Sequence, residues 1–575
     1  MRYAPIIVLV LVLLAVLLVL TPSVSWAKDT EEVSSAFLHV RRAAVASDSA
    51  AASAAGVWAL EHGGNAVDAA CATALALGVV DPFASGLGGC GFALVYLAKA
   101  RKVVALDFRE TAPAALSGED GAKPIAPQSG RSVGVPGEPR GLTELVRRFG
   151  RLPFSRCTRP ALRLAQGFAA SAWLARQIQD EMERHPSSAP ALMARLFAVK
   201  DGSPGKIRAG DRVARPSLAR TLSRLARLGA DAFYRGDIAK EIVEATRAAG
   251  GVLTTEDLAG YATVERTPLE TKLVGRRIVT MPPPSAGGVI LVEALGVLSH
   301  RIATRPPDWQ PQSPAYLHVV TEALKHGFAD RARYLGDPDF VTLPLDHLLD
   351  PAYHDELSAR IRPDQVLDHD AYGTKSALPA QGARDGGTAH ISVVDQEGNA
   401  VALTTTINLE FGSRIVAGDT GIVLNDELDD FTLAAGRADV FSLAGATANL
   451  AAAGKRPVSS MTPTLVLGDR GVELVTGAAG GPRIVSATLQ IVLDVLVFGL
   501  TAQQAIATPR FHHQWEPDFL FYEPGLPPDA VLAVEKTGQK TMLRLDIGKA
   551  NVIVRTPDGF DAAADPRSGG AALGF

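Results

Sequence analysis

Cysteine is scarce in this chain of 575 residues, which contains three: Cys71, Cys90 and Cys157. An odd and small count excludes a disulfide framework. Two of the three lie in apolar or glycine-rich surroundings, which predicts buried thiols. A chain of this length can bury a sizeable core, so we expect that core rather than cross-links to stabilise the fold.

An excess of charge is also missing, since the formal net charge is −4. The chain therefore has no electrostatic attraction to nucleic acid, and nucleic acid is not an expected partner. Length alone would favour three or four domains. The sequence has no internal repeat and no break in composition, however, so nothing in it separates independent modules.

One long aliphatic run is present, from Ile6 to Leu20, and it follows Arg2. A membrane-spanning helix needs about 20 apolar residues, so this run is short for one. Ser25-Trp26-Ala27 places small residues where a signal peptidase cuts. We therefore expect a signal peptide over residues 1–27 and a periplasmic or secreted product. An uncleaved leader, which would be the protein's one link to a membrane, is the alternative.

The stretch from 385 to 406 predicts a β-hairpin with Thr388 at its mouth. Residues 377–387 are small and polar, which is typical of a flexible linker. Apolar and polar residues then alternate through Ile391 and Val393, turn formers occupy 395–399, and a β-rich run covers 400–406.

Thr388 has two interpretations. Threonine is common in strands, so Thr388 could be a structural residue. A strand-leading threonine after a loose linker can also attack its own preceding carbonyl and release a new N-terminus. Its α-amine, with an ordinary pKa of about 7.7–8.0, then serves as the base for its hydroxyl.

Long motifs around Thr388 decide between these interpretations. From Thr388 the chain reads T-A-H-I-S-V-V-D-Q-E-G-N-A-V-A-L-T-T-T-I-N, and it continues with G-I-V-L-N-D-E-L-D-D-F, R-P-V-S-S-M-T-P-T and L-V-T-G-A-A-G-G-P-R-I. Upstream lie G-G-N-A-V-D-A-A, L-D-F-R-E-T-A-P-A and M-P-P-P-S-A-G-G, and downstream P-R-F-H-H-Q-W and D-P-R-S. On these motifs the chain resembles the γ-glutamyltranspeptidases of the N-terminal-nucleophile hydrolase superfamily.

The resemblance implies a layered α/β fold, the αββα sandwich of that superfamily. It implies autocatalytic cleavage of the Gly387–Thr388 bond into a large subunit, 28–387, and a small catalytic subunit, 388–575, which remain together as a heterodimer. The implied activity is γ-glutamyl transfer from glutathione and related compounds to water, amino acids or dipeptides. It implies no cofactor and no metal.

The resemblance also assigns site residues. Thr388 is the nucleophile, Thr406 orients it, and the N–H groups of Gly480 and Gly481 bind the oxyanion. Adjacent N–H groups at a helix start suit that task. Arg109 binds the substrate's α-carboxylate, which a guanidinium can grip with two parallel hydrogen bonds. The remaining substrate-binding residues are Ser459 and Ser460 beside that carboxylate, and Asn408, Glu427 and Asp430 around the α-ammonium.

Other motifs have weaker functional interpretations. Gly86 to Gly91 form a G-x-G-x-x-G, but a helix precedes and a strand follows, the reverse of a dinucleotide site. The acidic turn 425–430 does not have the spacing of a calcium-binding EF-hand loop. His512 and His513 are adjacent in a β-like run and point opposite ways, and the sequence offers no acidic or cysteine partner nearby, so we expect no metal there.

Two further regions flank these motifs. Between Leu142 and Tyr334 the three-and-four spacing of apolar residues predicts an outer helical layer with no chemical role. The loop from Leu433 to Gly454 is long enough to lie over a pocket. Related bacterial enzymes have a lid there, with a tyrosine where this chain has Phe441.

Two alternatives remain. An acylase of the same fold would take another acyl group, such as a glutaryl or cephalosporin side chain. Arg109 and Asp430 argue against it, because a γ-glutamyl group carries both an α-carboxylate and an α-ammonium. An unprocessed envelope binding protein is the other alternative, and it predicts a damaged nucleophile or oxyanion pair, whereas both are intact.

Overall fold

Two seven-stranded antiparallel sheets form the centre of the computed structural model, which describes residues 36–116, 125–126, 128–199, 202–373, 386–432, 439, 441–443 and 445–575. Sheet A contains Thr388, and its spatial order is Ala571–Gly574, Ala44–Ser47, Gly386–Val394, Ala400–Leu409, Cys90–Leu97, Lys102–Asp107 and Val264–Arg266. Sheet B has the order Phe37–Val40, Phe560–Ala564, Lys549–Arg555, Gly471–Ala479, Thr464–Gly468, Arg276–Thr280 and Leu269–Leu273.

Helices cover the outer faces of both sheets. Ala50–Glu61 and Ala66–Val80 contact sheet A, while Ala286–Val297 and Arg483–Leu496 contact sheet B, with Pro314–Tyr334 packed behind them. The order of layers is therefore helix, sheet, sheet, helix, and the predicted αββα sandwich is confirmed.

The remaining elements are shorter or peripheral. The other helices are Glu138–Phe149, Phe154–Gln166, Ala172–Arg184, Ala189–Leu196, Pro216–Leu228, Asp231–Tyr234, Asp237–Ala248, Thr255–Gly260, Ser299–Thr304, Leu345–Leu348, Pro351–Arg360, Ala502–Ala507 and Pro528–Lys536. Small sheets pair Phe168–Ala169 and Ala198–Val199 with Arg212–Ala214, Phe511–His512 and Thr541–Leu543 with Leu520–Tyr522, and Val416–Ala417 with Ile422–Val423. Short 3₁₀ turns occupy Gly130–Ser132, Pro204–Lys206, His369–Ala371, Glu427–Asp430 and Thr447–Asn449.

The strand alternation of sheet A divides its side chains between two cores. Leu94 and Ala402 belong to the core shared with sheet B, whereas Val95 and Val401 pack under the helices of the opposite face. Both faces of the sheet are thus buried, which is why its strands read as nearly continuous apolar runs.

The helix Ala66–Val80 shows how local sequence places a buried carboxyl group. Asn65 caps it by accepting hydrogen bonds from the N–H groups of Val67 and Asp68. Every residue of the helix is buried, and the helix ends at Asp81, just before a proline. Asp81 therefore lies in the interior, near the start of the strand that begins at Gly386.

The glycine-rich turn after Asp81 is a point of close approach rather than a nucleotide site. A Cβ on Gly89 would lie 2.0 Å from the carbonyl oxygen of Thr406. Glycine is therefore required for this turn to lie against the Thr406 strand.

Most element predictions agree with the structure. The structure has a helix over Pro216–Leu228, within the predicted outer helical layer, and all three cysteines are buried free thiols, as predicted. The linker prediction is wrong at its end, because Gly386 and Gly387 already pair with the Thr406 strand. Residues 1–35, with the predicted leader, and 377–385 lie outside the described residues. Among the described residues, no helix combines the length and apolar character needed to span a membrane.

Candidate active site

Thr388 and Thr406 face each other across two paired strands of sheet A. Their hydroxyl oxygens are 3.1 Å apart, and the Thr406 hydroxyl donates to the carbonyl oxygen of Gly387 at 2.8 Å. The backbone N–H of Asn408 donates to the Thr406 oxygen at 2.9 Å. A register shift between Gly387 and Thr388 marks the bond predicted to be cut. Thr406 thus contacts both the Thr388 hydroxyl and the Gly387 carbonyl group that this hydroxyl would attack during cleavage.

Gly480 and Gly481 form the turn between strand Gly471–Ala479 and helix Arg483–Leu496. Their φ angles of 126° and 60° lie in the region that favours glycine. A Cβ on Gly481 would come within 3.0 Å of the Phe441 ring, and one on Gly386 would lie 3.2 Å from the Gly481 nitrogen. The turn therefore places the Gly481 nitrogen close to Gly386, just before the Gly387–Thr388 bond.

Arg109 is buried just beyond strand Lys102–Asp107, with 1% of its side chain exposed. Its two terminal nitrogens form ion pairs with Glu427 and Asp430. Its Nε donates to the carbonyl oxygen of Pro457 at 3.3 Å, and Nη1 lies 3.6 Å from the Sγ of Cys90. The 3₁₀ turn Glu427–Asp430 and the loop before Ser459 thus hold one guanidinium from two sides.

Three carboxyl groups surround the Arg109 guanidinium. The Glu110 carboxylate lies 3.9 Å from Nη1, in addition to the pairs with Glu427 and Asp430. Burial raises the pKa of Glu110 to about 8, and it raises the pKa values of Glu427 and Asp430 although Arg109 opposes the shift. An added cationic group would offset this crowding, so the cluster can bind an ammonium as well as a carboxylate.

The predicted residues meet in one pocket. Its walls include nine of the ten: Thr388, Thr406, Gly481, Arg109, Asn408, Glu427, Asp430, Ser459 and Ser460. Gly480 is next to Gly481 but is not part of the wall. Within this pocket the Ser459 hydroxyl accepts the N–H of Met461 at 3.1 Å, and its own proton has no acceptor among the residues that the structure describes.

The same pocket contains residues that the sequence analysis did not assign. They are Arg331, Phe441, Leu443, Val458, Met461 and Ile484. Arg331 lies on helix Pro314–Tyr334, in the predicted outer helical layer, and reaches the pocket wall, whereas the absence of a chemical role in that layer stays a prediction. Its Nη2 is 3.9 Å from Oδ2 of Asp439. No local motif distinguishes Arg331, since an amphipathic helix explains its position equally well.

Phe441 is buried and covers the pocket on the side of Gly481. Its carbonyl oxygen accepts the side-chain amide of Gln514 at 2.8 Å, and its N–H donates to Asp439 at 2.9 Å. The described part of the predicted lid therefore packs against the site. Whether the segment moves stays a prediction.

Two clusters are relevant to metal binding. Among the described residues, Cys90, Glu110 and Glu427 bring three possible ligand atoms within 4.8 Å, but the Arg109 guanidinium contacts all three and supplies the positive charge.

The expectation that His513 has no acidic partner is wrong, because Oδ1 of Asp518 lies 3.5 Å from its Nε2. His512 instead bonds Ser486 at 2.7 Å, so the two rings do point to different partners.

Comparisons with known proteins agree with this arrangement. A family model described as gamma-glutamyltranspeptidase matches residues 52–575. The glutathione hydrolase proenzyme of Escherichia coli (strain K12) is 38% identical over 544 residues, which is 92% of this chain and 91% of that protein. The structure of a cephalosporin acylase from Bacillus halodurans has a TM-score of 0.78 at 26% identity, covering 94% of this chain and 97% of its own. The structure of a γ-glutamyltranspeptidase from Pseudomonas nitroreducens complexed with L-DON has a TM-score of 0.50 at 33% identity. The match covers 55% of this chain and 94% of that one.

Proposed function

Because the chain belongs to the γ-glutamyltranspeptidase family, we propose that it transfers γ-glutamyl groups from glutathione and related compounds to water, amino acids or dipeptides. The reaction would proceed through an ester on Thr388. The observation that carries this proposal is that the Thr388 hydroxyl lines the same pocket as the buried Arg109 and its two paired carboxylates.

The first step is maturation. Thr388 Oγ1 attacks the carbonyl carbon of Gly387, the peptide bond breaks, and the hydroxyl proton passes to the nitrogen that becomes the Thr388 α-amine. Water then hydrolyses the ester and leaves Gly387 with a carboxylate. The Thr406 hydroxyl, 2.8 Å from the Gly387 oxygen, supports this step because it can stabilise the charge that develops there.

The second step is recognition of the donor. Arg109, aided by the hydroxyls of Ser459 and Ser460, holds the α-carboxylate. Asn408, Glu427 and Asp430 surround the α-ammonium. The geometry supports this division, because Arg109 offers a cation to the α-carboxylate, while Glu427 and Asp430 offer carboxylates to the α-ammonium.

The third step, acyl transfer, uses the same nucleophile as maturation. Thr388 Oγ1 attacks the γ-carbonyl carbon while the α-amine takes its proton, and the donor amine leaves with that proton. The N–H groups of Gly480 and Gly481 stabilise the oxyanion. Water or an amine acceptor then attacks the ester and restores the hydroxyl.

A second candidate function is an acylase for another side chain. The likeness to a cephalosporin acylase over 94% of this chain favours it. Against it stands the ion cluster at the bottom of the pocket, since a glutaryl group lacks the α-ammonium for which Glu427 and Asp430 would provide carboxylates.

The test compares two chromogenic donors on the purified protein. γ-Glutamyl-p-nitroanilide should be cleaved much faster than glutaryl-p-nitroanilide, and equal rates would favour the acylase. A denaturing gel run beside the assay should show two pieces that meet at Gly387–Thr388. A single intact band without turnover is the result expected of an unprocessed binding protein.

Secretion is also part of the proposal. We expect the leader to be removed after Ala27 and the enzyme to act in the periplasm or outside the cell. N-terminal sequencing of the large piece tests this, and a sequence that begins before Lys28 would indicate a retained leader.

A further inference from the structure

A cavity of about 450 Å³ lies at the end of the sandwich that is remote from Thr388. Sheet A contributes the end of strand Cys90–Leu97 and the turn 395–398 to its wall, and sheet B contributes the turn 469–471. At about 3.4 Å per residue, the strand that contains Thr388 carries the chain about 20 Å away before that first turn begins. The cavity is therefore separate from the donor pocket, and its volume is in the range of small-molecule sites.

The wall of this cavity, which we call the arginine pocket, is rich in guanidinium groups. It contains Arg41, Arg42, Arg101, Arg470 and Arg555. Within the part of the chain that the structure describes, none of the five forms an ion pair with a carboxylate. Backbone carbonyl oxygens hold two of them instead: Arg101 donates to that of Asp469 at 2.9 Å, and Arg555 donates to that of Val472 at 2.7 Å. A carbonyl orients a guanidinium without neutralising it, so the positive charge remains.

The carboxylates of the wall offset this charge only in part. Asp395 is buried and accepts hydrogen bonds from the backbone N–H and the side-chain amide of Asn399 at 3.0 and 2.9 Å. Glu397 forms an ion pair with Arg151, which is not part of the wall. Asp469 is the third carboxylate, and it is exposed. Five arginines and three carboxylates leave the wall with a surplus of two positive charges.

Tyr96 is a second, independent indication of a ligand in this pocket. The residue lines the pocket and is 3% exposed, yet its hydroxyl has no hydrogen-bond partner among the residues that the structure describes. A Cβ on Gly471 would lie 3.4 Å from the hydroxyl oxygen, so the hydroxyl is at the sheet B side of the wall. A tyrosine hydroxyl that is nearly buried usually has a hydrogen-bond partner, and a bound anion would supply the acceptor.

The surroundings of Arg555 favour an anion as well. Partial burial, and after it the like charge of Arg470, lowers the pKa of Arg555, although Glu473 and Tyr96 oppose the shift. The Arg555 guanidinium also lies 4.6 Å from the centroid of the Phe560 ring, which lines the same pocket. An anion bound by Arg470 and Arg555 together would offset both their repulsion and the cost of burial.

We propose that the arginine pocket binds a terminal phosphate group, either of a soluble phosphate compound or of a lipid headgroup. At neutral pH such a group carries a charge of about −1.5 to −2 and offers three strong acceptor oxygens. Guanidinium groups bind these oxygens with pairs of parallel hydrogen bonds, and the Tyr96 hydroxyl adds a further donor. A carboxylate has one charge and two oxygens and would satisfy fewer of these donors. The inference does not rest on the proposed function.

The first experiment measures binding of inorganic pyrophosphate to the purified protein by titration calorimetry at constant ionic strength, because salt screens exposed charges. The native protein should bind with saturation. Arg470→Ala should raise the Kd at least about tenfold, as expected for loss of a charged hydrogen bond. Arg227→Ala changes an exposed arginine on helix Pro216–Leu228, outside the pocket, and as the matched control it should keep the native Kd.

A second variant removes one atom from the pocket and no charge. Tyr96→Phe should raise the Kd for pyrophosphate about three- to tenfold, the usual effect of one lost hydrogen bond. It should not lower the thermal unfolding midpoint, because the hydroxyl has no partner within the described part of the chain. An unchanged Kd would overturn the role of Tyr96.

A second experiment distinguishes the two sources of phosphate. The protein is sedimented with phosphatidylcholine vesicles that contain or lack phosphatidic acid, whose headgroup is a terminal phosphate. Cosedimentation that requires phosphatidic acid and is lost in Arg470→Ala, without binding of pyrophosphate, would identify a lipid headgroup. Binding of pyrophosphate without cosedimentation would identify a soluble compound.

Two results would overturn the inference. One is that the native protein binds neither pyrophosphate nor vesicles with phosphatidic acid. The other is that Arg470→Ala and Arg227→Ala weaken binding equally, because the attraction would then be nonspecific. Turnover of γ-glutamyl-p-nitroanilide, measured on the same samples, should be native in Arg470→Ala. A native protein without that turnover would overturn the proposed function and leave this inference standing.

Discussion

The Thr406 hydroxyl oxygen lies 2.8 Å from the carbonyl oxygen of Gly387. The N–H of Asn408 donates to the same hydroxyl at 2.9 Å, so Thr406 keeps its own proton for that carbonyl or for Thr388. The two groups that would react during maturation are therefore aligned by one side chain on the neighbouring strand.

The first prediction concerns the nucleophile. Thr388→Ala should remain a single full-length chain and show no γ-glutamyl transfer, because alanine has no oxygen to attack Gly387 or the donor. A denaturing gel and intact-mass measurement check this. A cut at the same bond in this variant would show that another protein performs the processing.

The second prediction concerns Thr406. Thr406→Ala should slow cleavage without abolishing it, since a positioning hydrogen bond contributes about 1–2 kcal/mol, or roughly 5- to 30-fold in rate. The measurement is the rate at which purified precursor converts to two bands. Thr406→Ser keeps the hydroxyl and is the matched control. Equal slowing in both variants would indicate that packing of the methyl group, rather than the hydrogen bond, is responsible.

The third prediction concerns the oxyanion site. Gly481→Val should lower kcat by about 100- to 1,000-fold, the usual cost of one lost oxyanion donor. Gly481 has φ 60°, and its added Cβ would meet the Phe441 ring at 3.0 Å, so the turn would have to tilt. Gly499→Val is the control, because Gly499 has φ 70° but no described atom within 4 Å of its added Cβ. Near-normal turnover in Gly481→Val would exclude this assignment.

The fourth prediction concerns the glutamyl head. Arg109→Ala and Asp430→Ala should each cripple turnover of glutathione, because removing one partner of a buried ion pair costs about 3–5 kcal/mol. Asp430→Ala should gain activity on glutaryl-p-nitroanilide relative to γ-glutamyl-p-nitroanilide, because a glutaryl group keeps the carboxylate that Arg109 would bind and lacks only the α-ammonium. Arg227→Ala, which changes an exposed arginine, should leave the ratio of the two donors unchanged. An unchanged ratio in Asp430→Ala as well would mean that the α-ammonium is not recognised there.

The fifth prediction concerns stability and pH. Burial raises the pKa of Glu138, whose partner is the Thr405 hydroxyl, to about 8, whereas an unfolded glutamate titrates near 4.3. The folded chain therefore holds a proton that the unfolded chain releases. The stability that this proton provides is complete below about pH 4 and is lost as pH rises toward 8.

The measurement uses the Thr388→Ala chain, which should unfold as one polypeptide. Its urea midpoint should fall between pH 5 and pH 8, and Glu138→Gln in the same background should reduce that fall. Glu244→Gln changes an exposed carboxylate and should not. Equal falls in all three chains would show that Glu138 ionises normally.

Several features were predictable from the chain because they depend on neighbours in sequence. The helix Pro216–Leu228 follows from its apolar spacing and its N-terminal proline. The hairpin around Thr388 follows from alternation and a turn. The error at Gly386 and Gly387 has a physical cause: their strand pairing depends on the Thr406 strand, and glycine by itself favours a loop.

The sequence by itself determined the chemistry available: a threonine after a glycine pair, two glycines before a helix, and charged residues in recognisable motifs. Tertiary structure decided which of these residues meet. Arg109 and Asp430 are far apart in the chain yet form one ion pair, and Asp81 lines a pocket with Thr388 because a buried helix ends near that strand. Such contacts depend on how two sheets and their helices pack, and hydrophobic packing is not directional, so no local pattern of residues encodes them.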